Sequence, residues 1–413
     1  MKVKPTGPIP PYFAADDDGM LLIGGMRADD LVEQAGSTPL FVYDMDVVRA
    51  RIAALRAAMP ADLGIHYAVK ANPHAQVLEA MAPLVDGFDI ASAGEMQLAL
   101  AADMAADAIS FAGPGKRDAE LEAAITAGVT LNVEGEGEAA RTLSIAERLG
   151  VTPRMAVRVN PDFDLKGSGM RMGGGAKPFG VDAARVPALV RDIIDAGAQW
   201  RGFHIFAGSQ ALDAAAIAET QAQTVALAGQ LANAVGASPP VVNLGGGLGV
   251  PYFHGDAPVD TAHVGAALET SLAARADILS GTHFCMELGR WMVADSGVYL
   301  TRIVETKVSH DETFLIVDGG LHHQLAASGN FGTVVRRNYP ICIANRFDAA
   351  KETAAHIVGC LCTPLDKLGD AVELPAASVG DLVGLFLAGA YGASASPANF
   401  LGHGPAAEIV VNG

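Results

Sequence analysis

The stretch LGIHYAVKANPH, residues 63–74, decides how the chain is read. An apolar run short enough to be a strand carries a lysine, Lys70, at its end and is closed by Asn72 and Pro73. Seven more runs of similar length follow: GFDIAS, AISFAG, GVTLNV, RMAVRVN, WRGFHIF, PVVNLGGG and HFCMELGR, the last ending at Arg290. Such runs, bounded by turn residues, read as strands. Helical patterns separate them. Val186, Leu189, Val190, Ile193 and Ile194, for example, recur at 3.6-residue spacing after Asp182 and stop at Gly197. Strand then helix, eight times, predicts an α/β fold built on a closed (β/α)8 barrel.

Outward from the barrel the pattern changes. Upstream, Met45, Val48, Ile52, Leu55 and Met59 make one apolar stripe behind a cap at Asp44, predicting a helix that leads into the barrel. Downstream of Arg290 come GVYLTRIV, TFLIVDGG, ICIAN, AAHIVGC, DLVGLFLAG and AEIVV, strand-like runs with no long helix between them. The expected organisation is a barrel over 41–290 and a β-rich domain over 291–413, with residues 1–40 joining the latter. The glycine-rich stretch GSGMRMGGG, 167–175, reads as a mobile loop.

Bulk properties narrow the function. A formal charge of -18, with no basic run interleaved with aromatics, argues against nucleic acid and for a small molecule or a protein as partner. Four cysteines, Cys285, Cys342, Cys360 and Cys362, make no disulfide framework in 413 residues, and the start MKVKPTGPIPPYF lacks the apolar core of a signal peptide. A reduced, cytoplasmic protein is expected. The longest uncharged stretch, 382–404, is broken by Ser, Asn, Pro and Gly and is too polar to span a bilayer.

Barrel active sites lie at the C-terminal ends of the strands, with phosphate commonly held after strands seven and eight. Here strand seven ends in Gly245, Gly246 and Gly247, whose backbone amides can approach an anion closely, and strand eight ends in Glu287-Leu288-Gly289-Arg290. Lys70 ends strand one, next to strand eight once the barrel closes. An amine, a phosphate cradle and a carboxylate at one rim are what pyridoxal phosphate needs. Singly, each has an ordinary alternative: three glycines as a turn, a lone lysine as a snorkelling surface residue.

With YAVKAN, GFDIASAGE, FAGPGK, RVNPD, KPFG, GSQ, LGGGLG, ELGR, VDGG, CTPLD and GAYG in this order, the chain resembles the fold-type III pyridoxal phosphate decarboxylases, the family of diaminopimelate and ornithine decarboxylases, from about Pro39 onward. The resemblance implies an alanine-racemase-like barrel, a homodimer with shared active sites, and Lys70 as the Schiff-base lysine. It implies Glu287 at the pyridine nitrogen and Ser209, Gly245, Gly246, Gly247, Arg290 and Tyr391 around the phosphate. Asp89, His204, Phe206 and Gly289 complete the cofactor set. Cys362 would be the acid that reprotonates the carbanion, reaching in from the partner subunit, while Cys360 reads as a buried apolar thiol.

Three departures bear on substrate. The residue after the family's cysteine is usually Glu in diaminopimelate decarboxylases and Asp in ornithine decarboxylases, where it binds the distal ammonium; here it is Thr363. Loss of such a partner can cost about 10⁴-fold in discrimination, although Asp366, retained from the motif, can compensate in part. The histidine that stacks on the cofactor in relatives is replaced by Phe206, leaving His204 as either a structural or a site histidine. The stretch LHHQLAASGNFGTVVRRNYP lacks the Arg-Pro-x-x-Tyr spacing of the family. Arg336, Arg337 and Tyr339 are candidates for a substrate carboxylate, or else members of a solvated loop at an oligomer edge. With Arg290, Thr363, Asp366 and Tyr391 they make the candidate substrate set. His322 and His323 show no third ligand at metal spacing, so no metal is expected.

CTPLD, FHIFAGSQ and AASGNFG together look like a narrower branch: decarboxylases of exosortase and exopolysaccharide clusters and those acting on aminoacyl groups tethered to acyl carrier proteins. A tethered substrate would explain the missing ammonium clamp. Carrier proteins are acidic, as is this chain, but charge is screened beyond ~8 Å at physiological salt, so only a local basic patch would matter. The primary expectation is pyridoxal-dependent α-decarboxylation of an amino acid or a carrier-bound aminoacyl group. Its alternatives are meso-diaminopimelate decarboxylation, racemisation, and a catalytically silent regulatory homologue that binds the cofactor.

Overall fold

The structure is a computed structural model that describes residues 2–329 and 336–413. It divides into two compact units, one of Arg51–Val250 and Pro258–Gly289, the other of Met1–Ala50, Pro251–Ala257 and Arg290–Gly413.

The first unit is the barrel. Its strands are β1 (Gly64–Ala68), β2 (Gly87–Ile90), β3 (Ile109–Phe111), β4 (Thr130–Val133), β5 (Arg154–Asn160), β6 (Gln199–Ile205), β7 (Val241–Asn243) and β8 (His283–Leu288). They are the eight runs expected from the sequence. Every neighbour pairs in parallel, and β8 returns to β1 with Cys285 opposite Gly64 and Leu288 opposite Tyr67. Parallel strands wrapped by helices are covered on both faces, which is why the runs are apolar throughout and do not alternate. Tyr67, Phe88 and Phe111 are fully buried.

The helix between β5 and β6 shows how the stripe is used. It spans Val186–Asp195 and buries Val186, Leu189, Val190 and Ile193, whereas Ile194 is 38% exposed. Ile194 lies 100° round from Ile193 and so falls outside the covered arc. Upstream, a helix spans Met45–Ala58 as expected, and the Asp44 carboxylate accepts the Asp46 amide at its start. The glycine-rich stretch is not an unpaired loop: Met170–Arg171 forms a short antiparallel pair with Gly208–Ser209.

The second unit is β-rich. Its main sheet runs Ile341–Ile343, Leu382–Phe386, Gly297–Ser309, Glu312–Val317, Thr353–Val358, Lys367–Leu374. Leu40–Asp44 pairs antiparallel with the start of Gly297–Ser309 and parallel with Ala407–Val411. The first residues form a separate small sheet of Ala14–Ala15, Leu21–Ile23 and Met26–Arg27.

Candidate active site

At the C-terminal rim of the barrel a cavity of about 170 Å³ is lined by Lys70, Asp89, Arg158, His204, Phe206 and Glu287, among others. Each comes from a strand end. Lys70 follows β1 in a single tight turn, Val69–Ala71, is solvent-accessible, and places Nζ 5.8 Å from the centre of the Phe206 ring. His204 is the penultimate residue of β6, buried, with Nε2 2.9 Å from Oε2 of Glu287 on β8. This places His204 in the cavity. Asn243 donates to the same Glu287 oxygen at 3.3 Å and accepts the Gly245 amide at 2.8 Å, so one side chain ties the carboxylate to the glycine turn.

Glu287 is buried, which by itself would raise its pKa. His204, Lys70 and Arg158 outweigh that and hold it down at about 2. An ionised carboxylate is therefore fixed in the wall of the cavity. Asp89 is buried on β2, and neither of its oxygens accepts a hydrogen bond among the described residues; His66 Nδ1 sits 3.3 Å away, out of line. Arg158 pairs with Glu134 at 2.8 Å.

The glycine turn after β7 needs its glycines. Gly245 and Gly247 have φ of 70° and 121°, and a Cβ on Gly246 would stand 2.3 Å from the Glu287 carbonyl oxygen. Backbone this bare at the end of β7 can let its amides approach an anion closely. Ser209 is half-buried in the pair with Met170, and Gly289 closes β8 where a Cβ would meet Ala71.

In the β-rich unit the Arg290 guanidinium lies 4.6 Å from the Tyr391 ring centre and donates to the Tyr252 hydroxyl at 3.2 Å. Its Nε is buried with no hydrogen-bond partner among the described residues. Tyr339 packs on Tyr252 and Phe253 and is buried; Arg337 stacks on Phe253 at 3.8 Å. Arg336 donates to the Ser328 and Leu365 carbonyls. Of the three, Tyr339 is buried and Arg336 half-buried, whereas Arg337 is exposed.

The segment carrying the cysteines is organised by Asp366. Its two oxygens accept the amides of Leu321 at 2.6 Å and Leu361 at 2.8 Å. Gly320 and Gly359 make room for it, since a Cβ on either would come within 2.4 Å of a carboxylate oxygen. Thr363 accepts the Leu365 amide at 3.3 Å. Cys362 is exposed, and so is Cys360, which corrects the expectation of a buried thiol; Cys360 Sγ points to the Asp318 carbonyl at 3.3 Å. Burial drives the His322 imidazole down to about 4, helped by His323 and His403.

Sequence reading missed Asn243, Arg158 and His66, although each is a polar side chain interrupting an apolar strand run, which is a usable signal. It also missed His403, which the fold brings to His322 from 81 positions away in the chain, a juxtaposition no local pattern contains.

Residues 45–294 match the family described as pyridoxal-dependent decarboxylase, pyridoxal binding domain. The chain belongs to the pyridoxal-dependent decarboxylases. Among relatives, it is 35% identical to an L-glutamyl-[BtrI acyl-carrier protein] decarboxylase of Niallia circulans, over 90% of this chain and 88% of the relative. It is 31% identical to the diaminopimelate decarboxylase of Archaeoglobus fulgidus, over 96% and 93%. Its fold superposes on diaminopimelate decarboxylase from Helicobacter pylori complexed with L-lysine with a TM-score of 0.82 and 26% identity, covering 93% and 94% of the two chains.

The residues of this decarboxylase fit pyridoxal phosphate. One cavity presents an amine, an aromatic face and an ionised carboxylate, with a buried Asp89 carboxylate still to be satisfied and a glycine cradle at the same rim. Its reaction class is amino-acid decarboxylation with pyridoxal phosphate as cofactor. No helix among the described residues is long and apolar enough to cross a membrane.

Proposed function

We propose that this decarboxylase removes the α-carboxylate of an aminoacyl group tethered to an acyl carrier protein. The observation that carries the reading lies beside Cys362. Thr363 stands where relatives place a carboxylate, and Asp366, the remaining acid of the motif, spends both oxygens on backbone amides. Asp366 is also buried, so this segment presents no exposed carboxylate to a distal ammonium, and a buried ammonium without a partner is strongly disfavoured. Similarity to a decarboxylase named for a carrier-bound glutamyl group supports the same reading.

Pyridoxal phosphate, when bound, supplies a sink for the electron pair that the departing carboxylate leaves behind. Lys70 is the residue that would hold it covalently, and Phe206 offers a face for its ring. Glu287, kept ionised by His204, would hold a proton at the ring nitrogen. Gly245, Gly246, Gly247 and Ser209, with Arg290 and Tyr391, would bind the phosphate. Cys362 is the proton donor to the α-carbon, supplied by the partner subunit of a homodimer. Arg336, Arg337 and Tyr339 are the residues we assign to the substrate's acidic groups. We place the enzyme in the cytoplasm, in keeping with its unpaired cysteines.

The test is a mass-spectrometric comparison of a glutamyl-loaded carrier protein with free meso-diaminopimelate, each incubated with purified holoenzyme. Loss of carbon dioxide from the loaded carrier alone is expected. Loss from meso-diaminopimelate alone would replace the reading with lysine biosynthesis, the second candidate, favoured by similarity to diaminopimelate decarboxylases along 96% of the chain. Inversion of configuration without gas would indicate a racemase, and no turnover of any substrate a silent homologue.

A further inference from the structure

His322 and His323 are adjacent and both buried, yet their ring nitrogens are treated differently. His323 is fully engaged, Nδ1 lying 3.2 Å from the Tyr299 hydroxyl and Nε2 3.0 Å from the Gly404 carbonyl. His322 is 0% exposed, and neither of its nitrogens has a hydrogen-bond partner among the described residues. Buried polar groups are almost always satisfied, so a buried imidazole with two idle nitrogens needs a reason.

What faces it is a thiol and a second imidazole. Ligand atoms of His322, Cys360 and His403 all lie within 4.8 Å of one another, with Cys360 Sγ 3.9 Å from His403 Nε2. The rings of His322 and His403 are 4.8 Å apart, centre to centre. Two of the three are held by neighbouring bonds. The His323 bond to Gly404 pins the backbone next to His403, and Cys360 reaches the Asp318 carbonyl. In a tetrahedral zinc site, metal–sulfur and metal–nitrogen bonds of about 2.3 and 2.0–2.1 Å place ligand atoms roughly 3.3–3.6 Å apart. Closing the trio therefore needs a movement of about 1 Å, which rotation of the exposed His403 side chain can supply.

We propose that His322, Cys360 and His403 form a binding site for a borderline-soft divalent cation of the zinc class. Two imidazoles and a thiol select such an ion over calcium or magnesium, which require oxygen ligands. As the metal–sulfur bond forms, the Cys360 proton leaves to solvent, and the two histidines give lone pairs from neutral rings. Three protein ligands leave a fourth position open. All three ligands belong to the β-rich unit, and the inference stands whether or not the substrate is carrier-bound.

The experiment uses untagged holoenzyme stripped of adventitious metal and titrated with Zn²⁺ against a chromophoric chelator, with Co²⁺ as a parallel probe. One ion per chain is expected, with tetrahedral cobalt absorption at wavelengths longer than the cofactor bands. Cys360→Ser and His403→Ala should each weaken Zn²⁺ binding at least about tenfold, and Cys362→Ser should leave it unchanged. Zn²⁺ should raise the melting temperature of the wild-type protein but not of Cys360→Ser, which separates loss of the site from loss of the fold. Undiminished binding in both Cys360→Ser and His403→Ala, loss of binding in Cys362→Ser, or no stoichiometric binding by the wild-type enzyme would overturn the proposal.

Discussion

Glu287 is a carboxylate that has left water and kept its charge, because His204 stands 2.9 Å away and Lys70 and Arg158 are near. A charge-assisted hydrogen bond to the cofactor ring would be worth about 1.5–3 kcal/mol, so Glu287→Gln should slow turnover roughly 10- to 100-fold at saturating substrate. An unchanged rate would remove Glu287 from the mechanism. The same environment makes a stability prediction. A pKa held down at about 2 contributes stability above the ordinary glutamate range, and that contribution is lost as pH falls from about 4.5 towards 2. Denaturant unfolding at pH 7 and pH 3 should therefore show a smaller loss on acidification in Glu287→Gln than in the wild-type protein. For Lys70 the check is chemical: borohydride reduction of the holoenzyme followed by peptide mapping should leave the cofactor's mass on that residue.

Among elements, the segment from Gly359 to Asp366 is where geometry and chemistry meet. Asp366 holds it closed through the amides of Leu321 and Leu361, and Gly359 has space for no side chain, a Cβ there lying 2.2 Å from a carboxylate oxygen. Gly359→Ala should displace the segment and lower kcat at least several-fold, while pyridoxal phosphate content, read from its absorbance, stays at the wild-type level. Loss of cofactor in this variant would show that the segment supports the barrel site more broadly than proposed. The strand that follows, Lys367–Leu374, escaped sequence reading because Gly369 and Asp370 interrupt its apolar run and Ala371 sits at a φ of 50°. Irregular pairing with Thr353–Val358 accommodates that break. Such a strand exists because its neighbour is there to pair with it, which its own sequence does not announce.

For the whole molecule, the proposed sharing of active sites between two subunits makes a prediction that no single chain can satisfy alone. Lys70→Ala and Cys362→Ala subunits should each be inactive as homodimers. Mixed, dissociated and reassociated, they should form heterodimers with one intact site, recovering roughly a quarter of wild-type activity for random pairing. No recovery, with heterodimers confirmed by native mass spectrometry, would place Lys70 and Cys362 of one site on the same chain.

The barrel was legible because strand and helix periodicities are local: eight apolar runs and the patterned segments between them state their own conformation, and short connections leave one closure. The placement of Lys70, Glu287 and the glycines after β7 at the barrel rim was legible for a related reason, since the end of a barrel strand is a defined place in space. Other features depended on long-range packing. His204 was ambiguous until the fold set it against Glu287, and Cys360 read as a buried thiol until the fold exposed it. Likewise, His322 had no visible partners until residues 38 and 81 positions away arrived beside it. Periodicity records which face of an element is covered, whereas the distance between two side chains on different elements is decided only when those elements pack.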